Sequence, residues 1–226
     1  MASAMTRQLP FAFADPTPLP ARVVLAPGAL LLRGFLAAST TDEADVLAGV
    51  EAVAATAPFR HMTTPGGLRM SVAMTSCGAF GWVSDEGGYR YTARDPERAA
   101  PWPAMPDGFL RLARAAANEA GYPGFEPDAC LVNRYVPEAR MTLHQDKDER
   151  DFGAPIVSVS LGLPATFLFG GATRAVRPTK IPLVHGDVVV WGGPSRLFFH
   201  GVAPLAPGCH AQLGATRINL TFRRAH

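Results

Sequence analysis

The amino-acid sequence predicts a mainly β fold, a double-stranded β-helix or jelly roll, with two buttressing α-helices. Three observations support this prediction. The apolar residues lie mostly in short runs that Gly and Pro separate. Most of these runs follow residue 128 with no helical pattern between them, which excludes a parallel doubly wound sheet. The chain has 226 residues, 48% of them hydrophobic, which is enough for one sizeable core.

The first element is an N-terminal segment that does not look folded. Residues 1–21 contain four prolines and little periodicity, so we expect a flexible Pro-rich arm. The four prolines are Pro10, Pro16, Pro18 and Pro20. Folded structure should begin near Arg22, and residues 22–226 show no internal boundary strong enough to divide them. We therefore expect a single domain over residues 22–226.

Apolar spacing predicts two helices, at residues 42–55 and 107–120. The first begins at Thr41 or Asp42, since either side chain is a favourable N-cap. Gly121 follows the second helix and is a common stop signal. We expect both helices to cover one outer face of the sheets.

Short β-strands account for most of the remaining pattern. Strands are predicted at residues 29–32, 70–75, 89–92, 129–135, 156–161, 166–169, 188–191, 197–202 and 217–222. Such short strands with close turn signals pair in antiparallel fashion, which is how a jelly roll or barrel is built.

Composition excludes several classes of protein. The longest apolar runs are shorter than the roughly 20 residues that a membrane helix needs, so no membrane span is expected. The net charge of +2 gives no global field for nucleic acid. Cys77, Cys130 and Cys209 are an odd number without metal-site spacing, which indicates buried structural thiols in a reducing cytoplasm.

One candidate metal site begins with His144 and Asp146. On an extended chain, residues two apart point to the same side, so this imidazole and carboxylate lie together. By itself the pair is more often a surface turn with a hydrogen bond. His200 follows in a strand-like aromatic run, where a core histidine is the alternative. Two histidines and one carboxylate are the facial triad of non-haem Fe(II) oxygenases, which leaves positions open for a 2-oxo acid and O₂.

The C-terminal strand alternates polar and apolar residues. One face carries Arg217, Asn219, Thr221 and Arg223, and the other carries Ile218, Leu220 and Phe222. On a strand exposed to water this would be an ordinary amphipathic edge. Inside a barrel mouth, two arginines and an amide would form an anion-binding wall that fits a dicarboxylate.

Five segments of the chain together resemble a known family. They are Asn133-Arg-Tyr135, Leu-His-Gln-Asp-Lys-Asp at 143–148, Pro-Ile-Val-Ser-Val-Ser-Leu-Gly-Leu-Pro at 155–164, His-Gly-Asp-Val-Val-Val-Trp at 185–191, and Arg217-x-Asn-x-Thr-Phe-Arg223. These segments resemble the AlkB family, Fe(II)- and 2-oxoglutarate-dependent dioxygenases that repair alkylated bases, and the bacterial DNA-repair branch most closely. The resemblance extends from about Ala29 to Arg223.

The resemblance implies roles for particular residues. The iron ligands, and so the catalytic centre, would be His144, Asp146 and His200. The residues that hold 2-oxoglutarate would be Asn133, Tyr135, Arg217, Asn219 and Arg223. The base pocket would comprise Trp82, Tyr89, Tyr91, Asp148 and Arg174. In that pocket Trp82 would stack on the base opposite His144, within a substrate-binding lid at about residues 60–95. Leu68 departs from the aromatic residue expected in close bacterial relatives.

The same resemblance implies the reaction and the partners. The expected activity is oxidative demethylation of 1-methyladenine and 3-methylcytosine, with O₂ and 2-oxoglutarate consumed and succinate and formaldehyde released. The expected partner is single-stranded or duplex DNA with a flipped alkylated base, with RNA as a further candidate, and the protein is expected to be a monomer. Two alternatives remain open: a hydroxylase of a protein or small molecule with the same iron site, and a non-catalytic single-strand-binding module. The second leaves the two histidines and Asp146 unexplained.

Overall fold

A computed structural model describes residues 21–226 of the chain. All of the predicted arm except its last residue lies outside this range. The strands are β1 (Arg22–Ala26), β2 (Ala29–Leu32), β3 (Ala73–Gly78), β4 (Gly81–Asp85), β5 (Gly88–Thr92), β6 (Arg94–Asp95), β7 (Ala100–Pro101), β8 (Ala129–Tyr135), β9 (Met141–His144), β10 (Ile156–Gly162), β11 (Ala165–Phe169), β12 (Thr179–Leu183), β13 (Val188–Trp191), β14 (His200–Val202) and β15 (Arg217–Arg223). The helices are α1 (Phe35–Ala38), α2 (Glu43–Thr56) and α3 (Asp107–Glu119), with a short 3₁₀ turn at Gly193–Ser195.

Two antiparallel sheets form the body of the protein. The larger sheet has the strand order β1-β2-β13-β10-β15-β8-β3, and the smaller has the order β12-β11-β14-β9. Apolar side chains from both sheets share one core, in which Leu31 and Val189 of the larger sheet join Phe167 and Ile181 of the smaller. The predicted jelly roll is confirmed by this arrangement of two sheets around a common interior.

The helices α2 and α3 cover the outer face of the larger sheet, as the sequence predicts. Val50 of α2 and Phe109 of α3 pack in one core cluster with Val157 and Leu220 of the sheet. Asp42 is the N-cap of α2, because its Oδ1 accepts a hydrogen bond from the amide of Ala44 at 2.9 Å. The short helix α1 was not predicted.

Some strands differ from the sequence prediction. The strand predicted at 70–75 is β3, which begins at Ala73, and the strand predicted at 197–202 is β14, which begins at His200. The sequence prediction also missed β1, β4, β6, β7, β9 and β12. Pro182 lies inside β12, which is tolerated because β12 is an edge strand of the smaller sheet.

A separate hairpin, β4–β5, packs beside the two sheets. It forms its own two-stranded sheet, in which Trp82 pairs with Tyr91 and Ser84 with Tyr89. The base of the hairpin rests on Trp102, whose Nε1 donates a hydrogen bond to the carbonyl of Thr92 at 2.9 Å. The hairpin is therefore attached to the body by side chains and not by a strand ladder.

The cysteines follow the sequence prediction in part. Cys77 and Cys130 are buried free thiols, but Cys209 is exposed, so the prediction of a buried thiol is wrong there. Cys209 lies in an irregular segment before β15, where no sheet covers it. No helix among residues 21–226 is long and apolar enough to cross a membrane.

Candidate active site

A cavity of about 900 Å³ opens between the two sheets and the hairpin β4–β5. Every site residue that the sequence predicts lines this cavity. They are Trp82, Tyr89, Tyr91, Asn133, Tyr135, His144, Asp146, Asp148, Arg174, His200, Arg217, Asn219 and Arg223. The fold thus brings together residues that are up to 141 positions apart, from Trp82 to Arg223 (223 − 82 = 141).

The cavity contains a compact group of possible metal ligands. His144 ends β9 and lies directly opposite His200, the first residue of the neighbouring strand β14. Asp146 follows two residues after His144, with its Oδ1 3.4 Å from His144 Nε2 and its Oδ2 3.7 Å from His200 Nε2. One ligand atom from each of the three lies within 4.8 Å of the others, a spacing that suits a single metal ion.

Both histidines present the same ring nitrogen to this group. His144 Nδ1 lies 2.8 Å from the carbonyl oxygen of Thr142, and His200 Nδ1 lies 3.0 Å from that of Phe198. A carbonyl accepts hydrogen bonds and does not donate them, so Nδ1 carries the proton in each ring. Nε2 is then unprotonated in the neutral ring and faces the group, as a metal ligand should.

Asp146 is held in its charged form. Burial opposes its ionisation, but the neighbouring positive charge of Arg223 is the main cause that lowers the pKa of Asp146 well below the usual range. Burial and the neighbouring His144 lower the pKa of His200 to about 4. An ionised carboxylate and a neutral imidazole are the forms that bind Fe(II).

Deeper in the cavity, Arg217 lies with part of its guanidinium unsatisfied. Its side chain is 1% exposed, and its Nη2 donates a hydrogen bond to Ser160 Oγ at 2.9 Å. Its Nε and Nη1 have no hydrogen-bond partner among the described residues. Burial lowers the pKa of Arg217 to about 10, which reflects a positive charge without a local counter-ion. An anionic carboxylate would satisfy both nitrogens, which is the fit expected for 2-oxoglutarate.

Two amide side chains lie beside this arginine on β8 and β15. Asn133 and Asn219 are cross-strand partners, and Asn133 Nδ2 donates a hydrogen bond to Asn219 Oδ1 at 3.3 Å. Asn219 Nδ2 donates to Ser158 Oγ at 2.8 Å, while Asn133 Oδ1 has no partner among the described residues. Tyr135 is buried near Arg217, and burial raises the pKa of its phenol to about 12, so it remains a neutral donor. These polar groups line the place where a dicarboxylate would lie.

Unlike Arg217, Arg223 forms its hydrogen bonds to a buried carboxylate. Its Nε and Nη2 both donate hydrogen bonds to Asp146 Oδ2, at 2.8 and 2.6 Å. Its predicted contact with 2-oxoglutarate stays a prediction, and the structure adds a second task for it, which is to hold a candidate metal ligand in place. Burial opposes its charge, but Asp146 and Glu149 raise the pKa of Arg223 above its usual value.

The hairpin β4–β5 supplies aromatic side chains at the cavity mouth. Trp82 and Tyr89 stack with ring centroids 5.6 Å apart, and Tyr89 is 46% exposed. Trp82 Nε1 donates a hydrogen bond to Asp148 Oδ2 at 2.8 Å. Arg174 lies exposed at the rim, with its guanidinium carbon 5.1 Å from the centre of the Phe199 ring. A flat aromatic platform next to a carboxylate is suited to a planar cationic group.

Sequence reasoning missed several polar residues that support this site, among them Ser160, Glu149 and Arg196. Ser160 is paired with Asn219 on the neighbouring strand, and the alternation of residues 156–161 would have placed it on the cavity face. Glu149 and Arg196 are both buried and joined by an ion pair of 3.0 Å. Their sequence neighbourhoods carry no periodic signal, since they lie in loops outside any strand.

Comparisons with known proteins agree with this geometry. The profile of the 2OG-Fe(II) oxygenase superfamily matches residues 28–223. The α-ketoglutarate-dependent dioxygenase AlkB of Salmonella typhimurium is 54% identical over 213 residues, which is 94% of this chain and 96% of that protein. AlkB of Escherichia coli is 54% identical over 215 residues, 95% of this chain and 96% of that protein.

The chain belongs to the AlkB family. A solved structure of OsALKBH1 agrees with the fold, with a TM-score of 0.78 and 31% identity over 90% of this chain and 99% of that one. As an AlkB-family member, the chain is an Fe(II)- and 2-oxoglutarate-dependent dioxygenase. The unsatisfied nitrogens of Arg217 and the three clustered metal-ligand side chains fit these two groups.

Proposed function

We propose that this AlkB-family dioxygenase demethylates 1-methyladenine and 3-methylcytosine in DNA, in the cavity between its two sheets. Membership in the family already makes it an alkylated-base demethylase of DNA repair. The proposal adds the lesions and the roles of the residues. One observation carries it: a single cavity combines a metal-ligand cluster, an unsatisfied buried arginine and an aromatic platform with a carboxylate.

The proposal assigns the cofactor contacts as follows. His144, Asp146 and His200 hold Fe(II), while Asn133, Tyr135, Arg217, Asn219 and Arg223 hold 2-oxoglutarate. When bound, these groups supply the oxidation of a methyl C–H bond, with O₂ consumed and 2-oxoglutarate converted to succinate and CO₂. The hydroxymethyl group left on the base nitrogen then breaks its N–C bond and departs as formaldehyde.

The protein's own contribution is to position the base and exclude water. Arg217 fixes one carboxylate by charge-assisted hydrogen bonds, and the apolar core around β11 and β13 keeps the interior dry. At the mouth, Trp82 and Tyr89 offer a stacking surface for the flipped base. Arg174 lies at the rim where a phosphate of the substrate strand would pass.

The positive charge of a damaged base explains how the pocket selects it over a normal base. Methylation at N1 of adenine or N3 of cytosine makes the base cationic and prevents normal pairing. A cationic ring gains from stacking on Trp82 through cation–π attraction and from the nearby carboxylate of Asp148. A base that is already unpaired is also cheaper to flip out of the duplex. The pocket should therefore prefer cationic lesions to normal bases.

The partner is alkylated nucleic acid, and the proposal narrows this to DNA in single-stranded or duplex form, with RNA as a second substrate to test. We propose that a monomer is sufficient for activity, because the base pocket, the metal-ligand cluster and Arg217 line one cavity of the chain. We propose that it acts in the cytoplasm, a compartment consistent with the free thiols Cys77 and Cys130.

Mass spectrometry of methylated oligonucleotides tests the proposal. The enzyme, with Fe(II), ascorbate and 2-oxoglutarate, should convert 1-methyladenine and 3-methylcytosine to the normal bases and release one formaldehyde per base. Trp82→Ala should lose most of this activity, whereas Val24→Ala, a change at an exposed residue of β1, should keep it. Equal activity of Trp82→Ala and the unchanged protein would contradict the pocket. Absence of any base conversion would contradict the function.

A further inference from the structure

A basic surface extends from the rim of the cavity along the connection between β11 and β12, residues 170–178. Arg174 and Arg177 lie on this connection, Lys180 lies at the start of β12, and all three are exposed. Residues 152–186 contain no Asp or Glu. No residue among 21–226 forms an ion pair with any of the three. These three cations, here called the basic edge, therefore lack an anionic partner on the described part of the protein.

The basic edge is fixed close to the candidate iron site. The amide of Gly170 donates a hydrogen bond to the carbonyl of Phe199 at 2.8 Å, and the amide of Phe199 donates to the carbonyl of Gly171 at 2.9 Å. Phe199 directly precedes His200, and its ring lies under the guanidinium of Arg174. The connection is thus held in place before any ligand binds, which lowers the entropic cost of binding one.

Strand register gives the distance between the basic edge and the iron site. Thr179 of β12 pairs with Phe169 of β11, and Phe169 pairs with His200 of β14. His200 in turn pairs with His144 of β9. Neighbouring strands lie about 4.8 Å apart, so three spacings place Thr179 about 14 Å from His144. A stacked strand rises about 3.4 Å per nucleotide, so this distance corresponds to about four nucleotides.

Arg177 and Lys180 lie beyond the base pocket. Arg174 lines the cavity, whereas Arg177 and Lys180 do not. Pro178 restricts the preceding Arg177 to an extended backbone, which fixes the direction of the chain there. Ile181 is buried in the core, so Lys180, one residue earlier on the strand, points away from it. Exposed cations of this kind bind the phosphates of nucleic acid by replacing its counterions.

We propose that Arg177 and Lys180 bind the phosphate backbone of the substrate strand about three to four nucleotides from the flipped base, on one side of that base only. This rests on the proposed function, in which Arg174 meets a phosphate nearer the pocket. A strand that leaves the pocket in the other direction passes β9, the opposite edge of the smaller sheet, and meets neither residue. The protein therefore binds a lesion more tightly when the strand continues on the β12 side.

Oligonucleotides that extend to one side of the lesion test this asymmetry. One is a trinucleotide with a central 1-methyladenine, and two others are extended by about five nucleotides, one on the 5′ side and one on the 3′ side, which exceeds the distance to the basic edge. Fluorescence anisotropy measures their binding to the full chain with Mn(II) and 2-oxoglutarate under anaerobic conditions. The unchanged protein should bind one extended oligonucleotide more tightly than the other two.

Arg177→Gln and Lys180→Gln each remove one charge from the exposed surface. Each should weaken binding of the favoured extended oligonucleotide about fivefold, since an exposed charge pair contributes modestly. The two effects should be additive, because the residues do not share a partner. The slope of log affinity against log salt concentration should become shallower by about 0.7 for each charge removed. Binding of the trinucleotide and of the other extended oligonucleotide should stay as in the unchanged protein.

Arg111→Gln is the matched control for net charge. Arg111 lies half-exposed on α3, which covers the outer face of the larger sheet, away from the basic edge. It should bind all three oligonucleotides as the unchanged protein does. A loss in Arg111→Gln equal to that in Arg177→Gln would assign the effect to overall charge and would overturn the proposal.

Other results would overturn it as well. They are a double variant, Arg177→Gln with Lys180→Gln, that binds every oligonucleotide normally, a loss that is equal for both extended oligonucleotides, and an unchanged protein that binds all three equally. A loss seen only after annealing to a complement would assign the contact to the other strand. Binding is measured without turnover, so failure of the demethylation assay leaves the result readable. Normal base conversion with unaltered binding in the double variant would leave the proposed function standing.

Discussion

Two regions line the same cavity but are attached to the fold in opposite ways. One is the 2-oxoglutarate wall, formed by the cavity-facing residues of β8 and β15, and the other is the hairpin β4–β5. Strand β15 is central in the larger sheet, paired with β10 on one side and β8 on the other, and all seven of its residues are buried. The hairpin has no ladder to either sheet, and its Tyr89 is 46% exposed.

This difference separates two tasks. A residue on a strand with ladders on both sides cannot move without breaking backbone hydrogen bonds, so Arg217 and Asn219 keep their places whether or not a ligand is bound. The hairpin is fixed by a few side-chain bonds and the packing of Trp102, so it can adjust to a substrate. The chemistry thus lies on the rigid part, and substrate choice lies on the part that is weakly attached.

The largest effect is expected from His200→Ala, which removes a proposed metal ligand on β14, a strand that is paired on both sides in the smaller sheet. Formaldehyde release should fall to background, because two ligands do not hold Fe(II) in the required geometry. The fold should persist, since the apolar cores do not depend on a metal. Circular dichroism checks the fold, and the thermal shift on adding Mn(II) checks metal binding. A folded variant with normal turnover would remove His200 from the ligand set.

Asp146→Ala should abolish turnover as well, but this change should also affect the stability of the fold. Asp146 is the principal partner of Arg223, and removing it leaves a buried guanidinium with only the longer contact to Glu149. Loss of one partner of a buried pair typically costs about 3–5 kcal/mol, so this variant should also unfold at a lower temperature. A melting temperature equal to that of His200→Ala would contradict this account.

The next effect is expected from Arg217→Met in the 2-oxoglutarate wall. The KM for 2-oxoglutarate should rise about 10- to 100-fold, since a hydrogen bond to a charged group contributes about 1.5–3 kcal/mol. Without 2-oxoglutarate the variant should be as stable as the unchanged protein or more so, because it removes a buried charge that lacks a partner. Titration with 2-oxoglutarate and thermal unfolding measure the two quantities. An unaltered KM would show that the carboxylate binds elsewhere.

Gly81→Ala disturbs the hairpin and leaves the wall untouched. A Cβ at this position would overlap with the indole ring of Trp102, so the hairpin must shift on its support. Overpacking of this kind costs about 1–3 kcal/mol, and kcat/KM for methylated oligonucleotides should fall about tenfold. Affinity for 2-oxoglutarate and Mn(II) should stay as in the unchanged protein. If both affinities fell in parallel with base use, the two regions would not be separable.

The smallest effect is expected from Asp148→Asn, which removes one charge beside the platform. Use of cationic 1-methyladenine should fall about fivefold relative to neutral 1,N6-ethenoadenine, since a partly exposed charge pair is worth up to about 1 kcal/mol. Competition between the two lesions in one reaction measures the ratio directly. An equal loss for both lesions would contradict the electrostatic explanation of damage recognition.

The local sequence pattern predicted the two faces of the central strand β15 correctly, but it missed an edge strand and the buried ion pair in the loops. The alternation of residues 217–223 gave the two faces of β15, and Ile218 and Phe222 indeed lie in the helix-covered core, away from Arg217 in the cavity. The edge strand β12 was missed because Pro182 disfavours a strand in any local reading. Glu149 and Arg196 were missed because 47 residues separate them (196 − 149 = 47), and no local pattern signals a buried ion pair.

The sequence by itself determined the mainly β class, the two buttressing helices and the closeness of His144 and Asp146, because these follow from periodicity and short spacings. The tertiary structure determined which partners each charged side chain contacts. Arg217 and Arg223 occupy equivalent positions on one strand face, yet Arg217 has two unsatisfied nitrogens and Arg223 is bound to Asp146. Their different roles arise from neighbours on other strands and loops, and such neighbours exist only once the chain has folded.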